Sequence, residues 1–288
     1  MRRVERSPMS LVPGPWSQML RGTIGIIGGG TMGEALVKGL RGHGLAGSRV
    51  LVSDVRPRRL SALRRRYGVR VAASNSDIAQ TASVIILAVK PQELDGVLRE
   101  CASVHRATPP LYLSIAAGVT IGRLQQRLGR RAPVVRVMPN MAARVGSAIS
   151  ALAVGRRVTS AHRRQAMAIC AAMGDVIAVP ERWLNAVTAI SGSGPAYFFA
   201  LVRALREAGR RIGLPSSVAQ RLATATALGS ARLLVETGED PTVLIAQVAS
   251  KRGTTEAALQ VLAQAGFDRL IARAVHAATR RAAALAQR

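Results

Sequence analysis

The stretch GTIGIIGGGTMGEALVKGL, Gly22–Leu40, changes its period part-way along. It opens as a short β-rich run, passes through a glycine turn, and ends with Ala35, Leu36 and Leu40 on one face of a helix. The turn, Gly28-Gly29-Gly30-Thr31-Met32-Gly33, matches G-x-G-x-x-G between a predicted strand and a predicted helix. In that setting Gly28 permits the tight turn, Gly30 lets the backbone approach a pyrophosphate, and Gly33 lets helix and strand pack closely, with the helix N-terminus facing the phosphate. A plain glycine turn has the same spacing, so the reading depends on what surrounds it.

What surrounds it is a regular alternation. RVLVSDVRP (Arg49–Pro57) is a second strand ended by a turn, and RRLSALRRRYG (Arg58–Gly68) is an amphipathic helix closed by its glycine. SVIILAVKP (Ser83–Pro91) is apolar throughout, as in strands buried on both faces of a parallel sheet. LYLSIAAG and VVRVMPN predict two more strands, with TIGRLQQRLG as the helix between them. The pattern runs to GDVIAVPE and predicts an α/β fold, a Rossmann-like doubly wound, mostly parallel sheet. After Glu181 the period is helical throughout, punctuated at Gly194-Pro195, Gly213-Leu214-Pro215, Gly238 and Gly253. The expected organisation is an extension over 1–20, a dinucleotide-binding domain over 21–180 and an all-helical domain over 181–288. Long apolar faces without a sheet predict that the helical domain pairs with another copy.

Composition limits the partners. Of 288 residues 49% are hydrophobic, which predicts a globular chain, and only 3% are aromatic, so the core must be built from Ala, Val, Leu and Ile. A net charge of +26 raises nucleic acid or an anionic membrane as partners. Yet only Lys38, Lys90 and Lys251 among the 41 basic residues are lysine, a bias that GC-rich coding produces, and no stacking aromatics accompany the charge. Runs such as Arg64-Arg65-Arg66 read as solvated helix faces, and neither nucleic acid nor membrane is expected as a partner. The first twenty residues lack the apolar segment of a signal peptide, and Met19 is a second candidate for the start. No apolar run reaches the length of a membrane span, and the expected compartment is the cytoplasm. Cys101 and Cys170 make no disulfide framework, and His43, His105, His162 and His276 have no ligand spacing, so no metal site is expected.

Three further places carry chemistry. Asp54, 21 residues beyond Gly33, stands where an acid holds the ribose hydroxyls of NAD, but Arg56, Arg58 and Arg59 follow and suit the 2′-phosphate of NADP. Both readings stay open. Lys90-Pro91 and Ser114–Gly118 end two strands at the edge where such sheets bind ligands, the second with residues small enough to admit a flat ring. In VASKRGTTEAAL (Val248–Leu259) two cations and two hydroxyls precede a helix, an arrangement suited to an anion.

The ordered series GGGTMGEAL, LAVKP, SIAAGV, RVMPN, AVTAISGSGPAYFF and GTT, from about Gly22 to the C-terminus, resembles the pyrroline-5-carboxylate reductase family. The resemblance implies a Rossmann-like domain, an interlaced helical dimerisation domain giving a homodimer or higher oligomer, and reduction of 1-pyrroline-5-carboxylate to L-proline. The hydride donor it implies is NADPH, with NADH possible. It matches Asn75, Ala88, Lys90 and Pro91 to nucleotide contacts and puts Asn140 near the nicotinamide. Together with Gly28, Gly30, Thr31, Met32, Gly33, Arg56 and Ala116 these make up the expected cofactor site. Ser250, Gly253 and Thr254 match a cradle for the substrate carboxylate, and Thr255 matches the hydroxyl placed at the ring nitrogen, the one catalytic assignment. The family's pocket forms between subunits.

The sequence departs from the family pattern at several points. The loop usually reads Ser-Pro-Gly-Gly-x-Thr, and here Lys251 and Arg252 replace Pro and the first Gly. Met141-Ala142 stand where Thr and Pro are usual, and Asn185 where Asp is common. An arginine at a positive-φ glycine position is strained. Two outcomes follow. The cations strengthen carboxylate binding or admit a more acidic substrate; or the loop is distorted and the chain is a divergent paralogue, reducing another imine or binding a dinucleotide without catalysis. The active reductase is the main expectation.

Overall fold

Eight strands of a computed structural model, which describes residues 19–286, form one sheet. They are β1 (Ile24–Ile27), β2 (Val50–Ser53), β3 (Arg70–Val71), β4 (Val84–Leu87), β5 (Leu111–Ser114), β6 (Val134–Met138), β7 (Ala148–Val154) and β8 (Gly174–Ala178). Their order is β3-β2-β1-β4-β5-β6-β7-β8, and every neighbouring pair is parallel except β6 with β7. The predicted extension, apart from Met19 and Leu20, lies outside the described residues.

Six helices cover the sheet: α1 (Thr31–Gly42), α2 (Pro57–Tyr67), α3 (Asn75–Thr81), α4 (Pro91–Ala102), α5 (Ile121–Leu128) and α6 (Ser160–Ala171). Alternation along the strands divides the core in two. Ile24, Ile26, Val50, Val52, Val84 and Ile86 pack with Leu36 and Leu40 of α1, Leu63 of α2 and Ile169 of α6. On the other side Ile27, Leu51, Ile85 and Leu87 pack with Ile78 of α3, Leu98 of α4 and Leu124 of α5. A fully apolar strand such as Val84–Leu87 suits this setting because both of its faces are buried. Gly68 closes α2 in the left-handed conformation, φ 66°, with its N–H on the Arg64 carbonyl.

After a short helix α7 (Leu184–Val187) and a π-helical turn at Thr188–Gly192, the described chain is helical. Among the described residues, 19–192 with 278–286 make one compact unit, and 193–277 make a second. The second contains α8 (Gly194–Arg211), α9 (Ser216–Thr237), α10 (Pro241–Val248), α11 (Thr254–Gln264) and the first half of α12 (Phe267–Ala286). Gly209 lets α8 approach α9 closely, since a Cβ there would lie 3.2 Å from that of Ala219. Little else in this unit is covered: Ala219 and Ala223 are the buried residues of α9, while Phe198 and Phe199 are 65% and 63% exposed. Among the described residues no helix is long and apolar enough to cross a membrane.

Candidate active site

The C-terminal ends of β2, β1, β4, β5 and β6 lie side by side, because these strands are adjacent and parallel. From β1 the chain steps outward through β2 to β3, then returns to place β4 on the other side of β1. That reversal makes a topological switch point, where open α/β sheets bind ligands.

The glycine turn sits at this point. Gly28 has φ 104°, and a Cβ on it would lie 2.5 Å from the Ala88 carbonyl oxygen. A Cβ on Gly33 would lie 2.0 Å from the Gly28 carbonyl oxygen. Both glycines are therefore required by the protein's own backbone. Gly30 differs: it is the N-cap of α1 at an ordinary φ of −66°, and a Cβ there would meet nothing nearer than Arg56 Nη2 at 3.8 Å. The helix start at Gly30, Thr31 and Met32 carries no side-chain cap. An open space over uncapped N–H groups at the positive end of a helix dipole fits the pyrophosphate of a dinucleotide.

At the end of β2 the competition between acid and bases is resolved by direct pairing. Asp54 Oδ2 accepts from Gly29 N–H at 2.8 Å and Arg56 Nη2 at 3.0 Å, while Oδ1 accepts from Arg56 N–H and Nε, both at 2.9 Å. The Arg56 guanidinium, helped by the two backbone N–H groups and opposed by desolvation, holds the Asp54 carboxyl below the usual carboxylate range. Asp54 is thus occupied, its side chain only 5% exposed, whereas that of Arg56 is 63% exposed. Of the three arginines after Asp54, Arg59 is spent inside the protein: Nε donates to the Gly29 carbonyl at 2.6 Å and Nη2 pairs with Glu34 at 2.5 Å. Arg58 is exposed on α2.

The remaining predicted residues line up along the same edge. Asn75 is the first residue of α3, and its Oδ1 accepts from the Ser53 hydroxyl at 2.6 Å. That contact leaves the Asn75 amide NH₂ as the donor, and it brings in Ser53, which a sequence reading has no reason to single out. Ala88 follows β4, and its N–H bonds the Ile27 carbonyl at 2.8 Å. Lys90 is the exposed N-cap of α4, and Pro91 is in its first turn. Ala116 is buried beyond β5, with its N–H 3.4 Å from Ser114 Oγ. Asn140, beyond β6, accepts the Ala142 N–H on Oδ1 at 3.2 Å and so caps the 3₁₀ turn Met141–Val145.

Ser250, Gly253, Thr254 and Thr255 belong to the helical unit. Ser250–Gly253 is a β-turn closed by Gly253 N–H on the Ser250 carbonyl at 2.9 Å. Arg252, its third residue, has φ 59°, the one positive φ among described non-glycine residues. Positive φ at that position with negative φ before it is the type II pattern, which normally takes Pro then Gly. The turn therefore keeps the Pro-Gly shape with Lys-Arg in it, and the loop is not distorted. A Cβ on Gly253 would lie 2.3 Å from Ser250 Oγ, so Ser250 folds directly over that glycine. Gly253 is the N-cap of α11 without a side-chain cap, and Thr254 and Thr255 are its first two residues. Glu256, at the third position, accepts the Arg252 N–H. The sequence signal for this contact was an acid at the position used by capping boxes.

Comparison with known proteins follows the same division. The family described as "Pyrroline-5-carboxylate reductase dimerisation" matches residues 181–285, and "NADP oxidoreductase coenzyme F420-dependent" matches residues 23–118. A pyrroline-5-carboxylate reductase from Synechocystis sp. is 41% identical over 266 residues, 92% of this chain and 98% of that protein. Among solved structures, a pyrroline-5-carboxylate reductase from Coxiella burnetii is similar with a TM-score of 0.87 at 35% identity, covering 92% of this chain and 98% of that one. The Plasmodium falciparum pyrroline carboxylate reductase, solved with NADP bound, has a TM-score of 0.83 at 25% identity over the same shares of the two chains.

Proposed function

The chain belongs to the pyrroline-5-carboxylate reductase family, and from that premise we propose that it reduces 1-pyrroline-5-carboxylate to L-proline with a nicotinamide dinucleotide. It is an oxidoreductase acting on a C=N bond, and it works as a homo-oligomer built through its helical half. The observation that carries the reading is the Ser250–Gly253 turn, which keeps the Pro-Gly shape and delivers Thr254 and Thr255 to an uncapped helix start. The assignment of 21–180 to the cofactor and 181–288 to substrate and dimerisation, and of the reaction to the cytoplasm, belongs to the same proposal. Free, buried Cys101 and Cys170 suit a reducing compartment.

The roles follow from the residues. Gly28, Gly30, Thr31, Met32 and Gly33 would hold the pyrophosphate, Asn75, Ala88, Lys90 and Pro91 the nucleotide, and Ala116 and Asn140 the nicotinamide end. When bound, the dinucleotide supplies the hydride that converts the imine carbon to a saturated one. NADPH is the preferred form, because the carboxylate that would hold the ribose hydroxyls of NADH has both oxygens engaged, while Arg56 presents an exposed cation. Ser250, Gly253 and Thr254 hold the substrate carboxylate at the helix start. Thr255 Oγ1 accepts the N–H of the protonated ring, fixing the iminium proton on the nitrogen that becomes the amine of proline. No strong base is required, and orientation supplies much of the rate.

The test is steady-state turnover of racemic 1-pyrroline-5-carboxylate, followed by loss of NADPH or NADH absorbance. Turnover with a larger kcat/KM for NADPH is expected. Normal binding of NADPH with no turnover of this imine would overturn the assignment.

A further inference from the structure

In the turn Ser250-Lys251-Arg252-Gly253, the two common hydrogen-bonded forms, type I and type II, differ by a flip of the central peptide, the one that joins Lys251 to Arg252. Type I accepts most L-residues at the third position, and type II requires φ > 0 there. A Lys-Arg pair intrinsically favours type I. The protein nevertheless holds Arg252 at φ 59°. The N–H of that central peptide belongs to Arg252, and it donates to the Glu256 carboxylate. Turning the peptide over would carry this N–H away from Glu256 and exchange a charge-assisted hydrogen bond for one to water. We infer that Glu256 is a positioning residue that locks the Ser250–Gly253 turn in its type II form, replacing by a side-chain hydrogen bond the conformational preference that a Pro-Gly pair would supply.

Glu256 suits the task on two further counts. As third residue of α11 it lies in the first turn, where a carboxylate is favoured by the helix dipole. Its own helix fixes its Cα four residues beyond the N–H it holds, so the reach is set by α11 and not by the turn. The functional consequence rests on the proposed reading of Ser250, Gly253, Thr254 and Thr255 as the substrate site. A flipped central peptide would exchange the directions of the Lys251 carbonyl and the Arg252 N–H and so change the polar groups presented beside Gly253 and the Ser250 hydroxyl that folds over it. Substrate binding would weaken, while the cofactor site, in the other compact unit, would keep its affinity.

The experiment is a cycle of Glu256→Ala, Arg252→Gly and the double variant, read in two ways. In the first, KM for 1-pyrroline-5-carboxylate is compared with kcat and with the Kd of NADPH. Glu256→Ala is expected to raise KM at least about threefold in the native background and to have much less effect once Arg252 is glycine, which adopts type II unaided. An equal rise in both backgrounds, as loss of a helix-stabilising acid would give, overturns the inference, as does no rise at all. In the second, amide hydrogen exchange across residues 250–253 is expected to speed up in Glu256→Ala and to return toward the native rate in the double variant. This readout needs no turnover. If the protein fails to reduce the imine, the assignment of function falls while the exchange cycle still decides the lock.

Discussion

Asp54 and Arg56, two residues apart at the end of β2, satisfy each other: Nε meets Oδ1 at 2.9 Å and Nη2 meets Oδ2 at 3.0 Å. In the proposed preference for NADPH, the pair turns an acid suited to NADH into a mount for a cation. Arg56→Ala should therefore lower kcat/KM for NADPH by about 10- to 100-fold, the worth of a charge-assisted contact, and leave NADH unchanged or improved because Asp54 is released. Parallel kinetics with the two cofactors check this. An equal loss with both would place Arg56 outside the 2′-phosphate contact.

The same pairing has a pH signature. The folded-state pKa of Asp54 lies below its ordinary value of 3.8, so in acid the unfolded chain binds the extra proton first. Stability from this group is present above about pH 4 and is lost as pH falls through the lower folded-state value. Acid unfolding of the wild type should be steeper than that of Asp54→Asn in this window, and the two should have parallel pH dependences above it. Thermal unfolding across a pH series measures the difference.

The glycine turn separates folding from binding. Gly33→Ala puts a methyl 2.0 Å from the Gly28 carbonyl oxygen and should cost roughly 2–4 kcal/mol of stability, seen as a lower Tm without cofactor. Gly30→Ala meets no such obstacle and should leave Tm nearly unchanged while weakening NADPH binding. Calorimetric titration together with unfolding in the absence of cofactor distinguishes the two. A loss of Tm in Gly30→Ala of the same size as in Gly33→Ala would contradict the distinction.

Thr255→Ala should lower kcat by about 10- to 100-fold, because a hydroxyl acting on a charged nitrogen is removed, with the Kd of NADPH unchanged. Thr255→Ser keeps the oxygen and should retain most of the activity. A Ser variant as impaired as the Ala variant would mean that the methyl, not the hydroxyl, is what matters at this position.

The sheet and its glycine cradle were legible because their constraints are local. Gly28, Gly33 and Gly68 each mark a close approach or a positive φ, and Val84–Leu87 is apolar on both faces because both are buried. The two-residue strand β3 was not legible: Arg70 and Val71 are exposed at the sheet edge and carry no pattern. The reversal of β7 was present only as a connection length, since residues 139–147 hold one 3₁₀ turn and a parallel crossover needs a dozen residues or more. At the site, sequence could name Asp54 and three arginines but not their partners. Which arginine is spent on Glu34 and Gly29, and which faces outward, depends on how α2 is set against α1. Lys251-Arg252 pointed to a departure from the family pattern, and the retained turn became visible only with the backbone and the Glu256 contact.

The uncovered Phe198 and Phe199 give the helical half a dependence on what covers them. In the proposed homo-oligomer this apolar surface leaves water when copies meet, so the free energy holding the half together follows mass action as well as sequence. Dilution then behaves as a denaturant for one half of the molecule. Its melting temperature belongs to a stated protein concentration, and a cell that makes little of the enzyme holds it closer to the edge of stability than one that makes much.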